Sequence, residues 1–233
     1  MITQVKRNIA IVGGTGAEGK GLALRLAQAG TRVLIGSRDA GKAQETARAV
    51  SEAAGGAAVE GCSNSDAARG AEIVILTVPL SAQTGILKSI RDSFRPGAIL
   101  VDTTVPLEIA IGGRVSRTLT LWDGSAAQQA ARLAPPGIQV VAAFHSLSAD
   151  ALSHLDQPVE CDVLICGDNA EAKTTVREVA ESIPGVRGID AGPLENARLL
   201  ENAAAMLISL NLRHRVKHSG LRITGIDPNG VAR

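Results

Sequence analysis

The sequence predicts a doubly wound α/β protein: a parallel sheet flanked by helices, with a small C-terminal helical region. Three observations predict it. Near-continuous apolar runs alternate with Ala-rich stretches of helical spacing through the first half of the chain. Such runs mark parallel strands buried on both faces, whereas half-exposed strands alternate apolar and polar residues. The first run ends in a glycine cluster that opens straight into a helical stretch. Finally, 233 residues, 45% hydrophobic and 20% charged, suffice for one large domain with an adequate core and no disulfides.

Taken in order, "NIAIV" (8–12) is the first strand and "AEGKGLALRLAQA" its crossover helix. "RVLIG" (32–36) is the second strand and "DAGKAQETARAVSEAA" the second helix. "EIVILTV" (72–78), "AILVD" (98–102) and "IQVVAAF" (138–144) continue the strands, separated by the helical "SAQTGILKSIRDSF" and "GSAAQQAARLA". Alternation of this kind gives right-handed crossovers. After Pro158 the pattern loosens into "CDVLICG", "NAEAKTTVREVAESI" and "VRGIDAG", then the long helical "LENARLLENAAAMLISLNLRHRVKH". Its apolar positions around Leu194–Leu212 exceed what one packed face needs, so a homodimer contact is expected there.

Bulk properties exclude several classes. A net charge of +1 gives no reason to expect nucleic acid or an anionic membrane as partner. With no Tyr, one Trp (Trp122) and two Phe (Phe94 and Phe144), gripping a ligand by aromatic stacking is nearly excluded, single-stranded nucleic acid included. Cys62, Cys161 and Cys166 form neither a CxxC pair nor a zinc pattern with His, which points to reduced thiols and no metal site. The polar start "MITQVKRN" carries no signal peptide, and no apolar run approaches the ~18 residues of a membrane span, so a cytoplasmic protein is expected.

Gly14, Gly16 and Gly19 form G-x-G-x-x-G between the first strand and its helix. The first allows a tight turn, the second lets backbone approach a pyrophosphate, and the third lets helix and strand pack closely. The helix N-terminus then offers free N–H groups and a positive dipole end to phosphate. In this strand–turn–helix–strand context the motif predicts a dinucleotide and a Rossmann-type sheet. Residues 1–155 are read as the nucleotide-binding domain and 156–233 as a closely attached α/β and helical region.

The end of the second strand selects the dinucleotide. NAD enzymes commonly place a carboxylate there for the ribose hydroxyls. This chain has Ser37 and Arg38, with Lys42 a turn further on: a hydroxyl, a guanidinium and an ammonium suited to a 2′-phosphate. Asp39 lies past the ribose position and is expected to cap the next helix. NADP(H) is therefore the expected cofactor.

The stretch "GGTGAEGKGLALRLAQAG…GSRDAGKA" resembles the start of the NADPH:coenzyme F420 oxidoreductases, which exchange hydride between NADP and a deazaflavin. The likeness continues at "ILTVP" (75–79), "VDTTVPL" (101–107), "GSAAQ" (124–128), "VVAAFHSLSA" (140–149) and "CGDNAEAK…DAGPLENARLLE" (166–201), and so covers most of the chain. It implies that Thr15, Gly16, Ala17 and Glu18 hold the pyrophosphate, with Ser37, Arg38 and Lys42 on the 2′-phosphate. It places Thr77, Val78 and Pro79 along the nicotinamide side of NADP. Val105 and Pro106, with His145 and Ala149, would line the meeting place of nicotinamide and coenzyme F420. The C-terminal "LRHRVKH" and "LRITGIDPNGVAR" depart from the family pattern, in a tail that there helps close the deazaflavin pocket.

Hydride exchange between two flat rings asks little covalent chemistry of the protein, which supplies position, dryness and electrostatics. It must hold the reacting carbons roughly 3–3.5 Å apart. The scarcity of aromatics suits this, since each ring stacks on the other. His145 is the one histidine at a strand end near the crevice; it either hydrogen-bonds the deazaflavin and offsets growing charge, or is a structural cap of the strand. His154, His214 and His218 have no partner pattern for catalysis or metal, and no hydrolytic constellation stands out. Two other readings stay open from sequence: a reductase of another acceptor (flavin, ferric chelate, imine or carbonyl), and a non-catalytic NADPH-binding regulator.

Overall fold

A computed structural model describes residues 7–226. Most of the polar start at 1–6, and the "DPNGVAR" that ends the divergent tail, lie outside the described residues.

The strands are β1 (Ile9–Val12), β2 (Val33–Ser37), β3 (Val59–Ser63), β4 (Ile73–Leu76), β5 (Ile99–Asp102), β6 (Gln139–Ala142), β7 (Cys161–Gly167) and β8 (Val186–Asp190). The helices are α1 (Ala17–Gln28), α2 (Ala40–Ala53), α3 (Asn64–Arg69), α4 (Leu80–Ile90), α5 (Ala126–Leu133), α6 (Ala149–Ser153), α7 (Ala170–Glu181) and α8 (Ala197–His214). All eight strands form one sheet in the order β3-β2-β1-β4-β5-β6-β7-β8. Every pairing is parallel except β6 with β7, which is antiparallel through Val141–Gly167 and Ala142–Cys166. The expected α/β fold is therefore present, with one reversal, and the sheet runs on past residue 155 without a break.

The apolar runs are buried on both faces because each pleat feeds a different layer. Ile9, Ile11, Val33, Ile35, Ile73 and Ile75 join Leu22 and Leu26 of α1 and Val50 of α2 on one side. Ala10, Val12, Leu34, Val74, Leu76 and Leu100 join Ala67 of α3 and Ile86, Leu87 and Ile90 of α4 on the other. A third cluster seats α8 through Ala197 and Leu200, with Leu194 just before it, against Ala127 and Cys166. Burying a Leu or Ile side chain contributes about 1.5–3 kcal/mol, so these layers dominate the stability.

Side chains cap most helices. Asp39 accepts from the Lys42 N–H at 3.1 Å, as expected of it, and Ser63, Ser125, Ser148 and Asn169 do likewise for α3, α5, α6 and α7. The first turn of α1 has no such cap. Strand β3 and helices α3 and α6 were not anticipated. "VEGCS" mixes polar with apolar residues because β3 is a half-covered edge strand, and α3 and α6 are only six and five residues long, too short for a periodicity to register.

Candidate active site

The strand order reverses at β1 and β4, whose carboxyl ends frame the crevice where doubly wound sheets bind ligands. The glycine loop leaves β1 here. A Cβ on Gly14 would come within 2.7 Å of the Ile11 carbonyl, and one on Gly19 within 2.6 Å of Thr77 Oγ1 and 2.7 Å of Gly14 Cα. Both glycines are thus required by the protein's own packing. Gly16 differs: a Cβ there would meet nothing nearer than the Gly13 carbonyl at 3.6 Å. The space over Gly16 is open, directly before the uncapped N–H groups of α1. An anion fits that cradle, since the orphan donors and the helix dipole both favour one.

Ser37 is buried at the end of β2, its Oγ accepting from the Asp39 N–H at 3.2 Å. Arg38 and Lys42 are exposed beside it. Neither forms an ion pair among the described residues, so both cations stand free for a phosphate at the adenosine end.

A cavity of about 440 Å³ opens at the other end, lined by Glu18, Val78, Pro79, Thr103, Val105, His145 and Ala149 among others. The structure thus brings together six of the expected positions, Glu18, Val78, Pro79, Val105, His145 and Ala149. It keeps two back. Thr77 donates to the Val12 carbonyl at 3.2 Å and packs under Gly19. Pro106 is buried behind Val105, its carbonyl accepting from Leu119 N–H. Thr15 and Ala17 are exposed at the loop, but the Glu18 side chain turns from the phosphate cradle into the crevice, leaving only its backbone N–H for pyrophosphate.

The far wall comes from residues that sequence reasoning missed: Leu207, Ile208 and Asn211 of α8, and Lys217 and Ser219 beyond it. No local motif announces them, because only the return of the chain brings them here. Of the divergent segments, Lys217 lines the crevice. Ser148 Oγ donates to the Lys217 carbonyl at 2.7 Å, and the Ser219 N–H donates to Asn211 Oδ1 at 3.0 Å. Further on, the Asp162 N–H donates to the Leu221 carbonyl and the Ile223 N–H to Asp162 Oδ2. Opposite, Arg25 is buried and donates to the carbonyls of Ala151, Leu152 and His154, locking α6 and hence Ala149 onto α1. A second cavity of about 420 Å³, lined by His154, Glu160 and His218, adjoins the crevice at Ser146, Ser148 and Ser219. It lies away from the glycine loop, so the crevice, not this neighbour, is the place for chemistry.

Electrostatics at the crevice are unusual. Both His145 ring nitrogens are covered and without a hydrogen-bond partner. Burial pushes the imidazole down to about 4, and the Thr104 backbone offsets only part of this. The ring is neutral at physiological pH, with one nitrogen a donor and the other an acceptor. Behind the wall, Asp102 is fully buried. Its Oδ1 accepts from Gln83 Nε2 at 3.0 Å and Thr104 Oγ1 at 2.9 Å, while its Oδ2 has no partner. Burial raises its carboxyl to about 7. Burial likewise raises Glu18 to about 7 and the covered Glu201 to about 8, and Asp102 adds to both shifts. Among the described residues no group of three or more His, Cys, Asp or Glu is placed to hold a metal, and no helix is long and apolar enough to cross a membrane.

Residues 8–106 match the family model described as NADP oxidoreductase coenzyme F420-dependent. The chain is 50% identical over 229 residues to the F420-dependent NADP reductase of Methanothermobacter thermautotrophicus, covering 97% of this chain and 98% of that one. It is 40% identical over 223 residues to the F420-dependent NADP reductase of Methanocaldococcus jannaschii, covering 94% and 99%. The first match is long enough to reach into the C-terminal segment read as divergent. A solved structure from Arthrobacter sp. FB24 superposes with a TM-score of 0.79 at 25% identity, covering 94% of this chain and 99% of that one.

Proposed function

Because the chain belongs to the family of F420-dependent NADP reductases, we propose that it passes a hydride directly between NADP(H) and coenzyme F420 across the crevice between the glycine loop and α8. One observation carries the reading: the open, uncapped anion cradle at Gly16 lies two residues from Glu18, which lines a cavity of about 440 Å³ with Val78, Pro79, Val105 and Ala149.

NADPH, when bound, would supply the C4 hydrogen that moves as hydride; the rest is the work of the chain's own residues. Gly14, Thr15, Gly16, Ala17 and Gly19, with the backbone of Glu18, receive the pyrophosphate at the α1 N-terminus. Ser37, Arg38 and Lys42 select the 2′-phosphate. Val78 and Pro79 support the nicotinamide end, with Thr77 and Pro106 holding the walls behind. Val105 and Ala149 bound the ring gap and keep it dry, so that a small error in spacing is not tolerated. His145 bounds the acceptor side of the gap as a neutral imidazole. Residues 1–155 serve the nucleotide, and 156–233 complete the acceptor side and carry the dimer contact along α8.

The test is one reaction. C4-deuterated NADPH and F420 should give loss of the oxidised deazaflavin absorption band, with deuterium at C5 undiluted by solvent. Deuterium washing out, or F420 left untouched while a free flavin or ferric chelate is reduced, overturns the reading.

A further inference from the structure

Reduction of a deazaflavin by hydride consumes one proton as well, and among the described crevice residues Glu18 is placed to hold it. The Glu18 carboxyl lines the cavity beside Val78, Thr103 and Val105, on the first turn of α1. The charged and titratable groups facing it come from four other elements. Asp102 stands at the end of β5, fully covered, and Glu201 of α8 stands behind it, its Oε1 accepting from the Ala127 N–H at 3.2 Å. His145 follows β6, Asp150 opens α6, and Lys217 follows α8. Asp102 and Glu201 cannot reach a ligand, because they are 0% and 2% exposed. Asp150 lies 3.4 Å from His218 Nδ1 and is engaged at the rim. Lys217 is exposed there.

Given the hydride transfer proposed above, on which this rests, we propose that Glu18 is the proton donor and acceptor of the crevice. The C4–H bond of NADPH breaks as the C5–H bond forms, so NADPH is oxidised and the deazaflavin reduced. The O–H bond of Glu18 breaks as an N–H bond forms on the acceptor ring, and water reprotonates the carboxylate. In reverse, the Glu18 carboxylate takes the proton back. Two features of the site fit the role. Burial and the neighbouring Asp102 carboxyl hold Glu18 near 7, where it is populated in both forms. His145, held near 4, has no proton to give at that pH. Asp102 acts as a positioning residue, tuning Glu18 by charge.

The experiment compares the full-length enzyme with Glu18→Gln. F420 reduction by NADPH should fall above about pH 7 in the unmutated enzyme, and the reverse reaction below it. In the variant, turnover at saturating NADPH should drop about a hundredfold, with those limbs lost. Independently of turnover, infrared pH titrations of the ligand-free enzyme should contain three protonated carboxyls titrating between about pH 7 and 8, those of Glu18, Asp102 and Glu201, and Glu18→Gln should remove one of them. If the unmutated enzyme leaves F420 untouched, the functional reading has failed. If it reduces F420 and the variant keeps both its rate and its pH limbs, or its infrared titration is the same as that of the unmutated enzyme, that reading stands and this inference is overturned.

Discussion

Arg187 grips Asp162 with two parallel hydrogen bonds, Nε to Oδ1 at 2.7 Å and Nη2 to Oδ2 at 2.5 Å. Arg222 Nη1 joins at 2.9 Å and the Ile223 N–H at 2.6 Å, so one buried carboxylate of β7 pins the C-terminal segment to the sheet. Burial alone would raise the Asp162 pKa; Arg187, Ile223 and Arg222 more than reverse this, to about 2. The unfolded chain titrates near ~3.9. Because the folded value is the lower one, this contribution is complete above about pH 4 and fades as pH falls toward 2. Asp162→Asn should cost about 3 kcal/mol, the low end for a broken buried pair because both arginines are a third exposed. That lowers Tm by roughly 6–12 °C at neutral pH. Thermal melts should show it, with a flatter dependence between pH 4 and 2, and limited proteolysis should cut near Lys217 before the core opens.

The glycines of the loop separate folding from binding. Gly19→Ala should lower Tm, since its Cβ collides with Thr77 Oγ1 and the Gly14 backbone. Gly16→Ala should melt like the parent, having no close neighbour, yet bind NADPH at least tenfold more weakly. Calorimetric melts and a fluorescence titration of the two variants check this; equal loss of stability in both would contradict it.

Arg38→Ala should lower kcat/KM for NADPH by about tenfold to a hundredfold, the loss of one charge-assisted hydrogen bond of ~1.5–3 kcal/mol, and leave NADH nearly unaffected. Steady-state kinetics with both nucleotides decide it. Equal use of NADPH and NADH by the unmutated enzyme would refute the selectivity argued from Ser37, Arg38 and Lys42.

Helix α8 buries Leu200 and Leu207 yet leaves Leu199, Met206, Leu210 and Leu212 exposed. Light scattering should give twice the 23.9 kDa chain mass, and Met206→Glu should return it toward the monomer. A monomer for the unmutated protein at micromolar concentration rules out this contact.

What was legible in the sequence is what is local. Buried strands such as "NIAIV" and "AILVD" declare themselves by continuous hydrophobicity, and the glycine loop by its place between strand and helix. Asp39 as a cap and Ser37, Arg38 and Lys42 as a cluster need only a few residues of context. The far side of the crevice is not local. Asn211, Lys217 and Ser219 reach it because Asp162 and Ser148 tie the returning chain down, pairings across 61 and 69 residues that no spacing rule encodes. The buried carboxyls with raised pKa escaped for a related reason: Asp102 in "VDTTVPL" reads as a strand-end polar residue, and only three-dimensional burial shows it fully covered.

The scarcity of aromatics also decides how this protein is seen by light. Trp122 is its only indole and is fully exposed, at 103%, outside the crevice, and there is no tyrosine. Its emission therefore answers to ligand binding through energy transfer to a bound ring and not through contact with it. The crevice itself is optically silent, and nicotinamide and deazaflavin signals arising there need no correction for neighbouring chromophores of the chain.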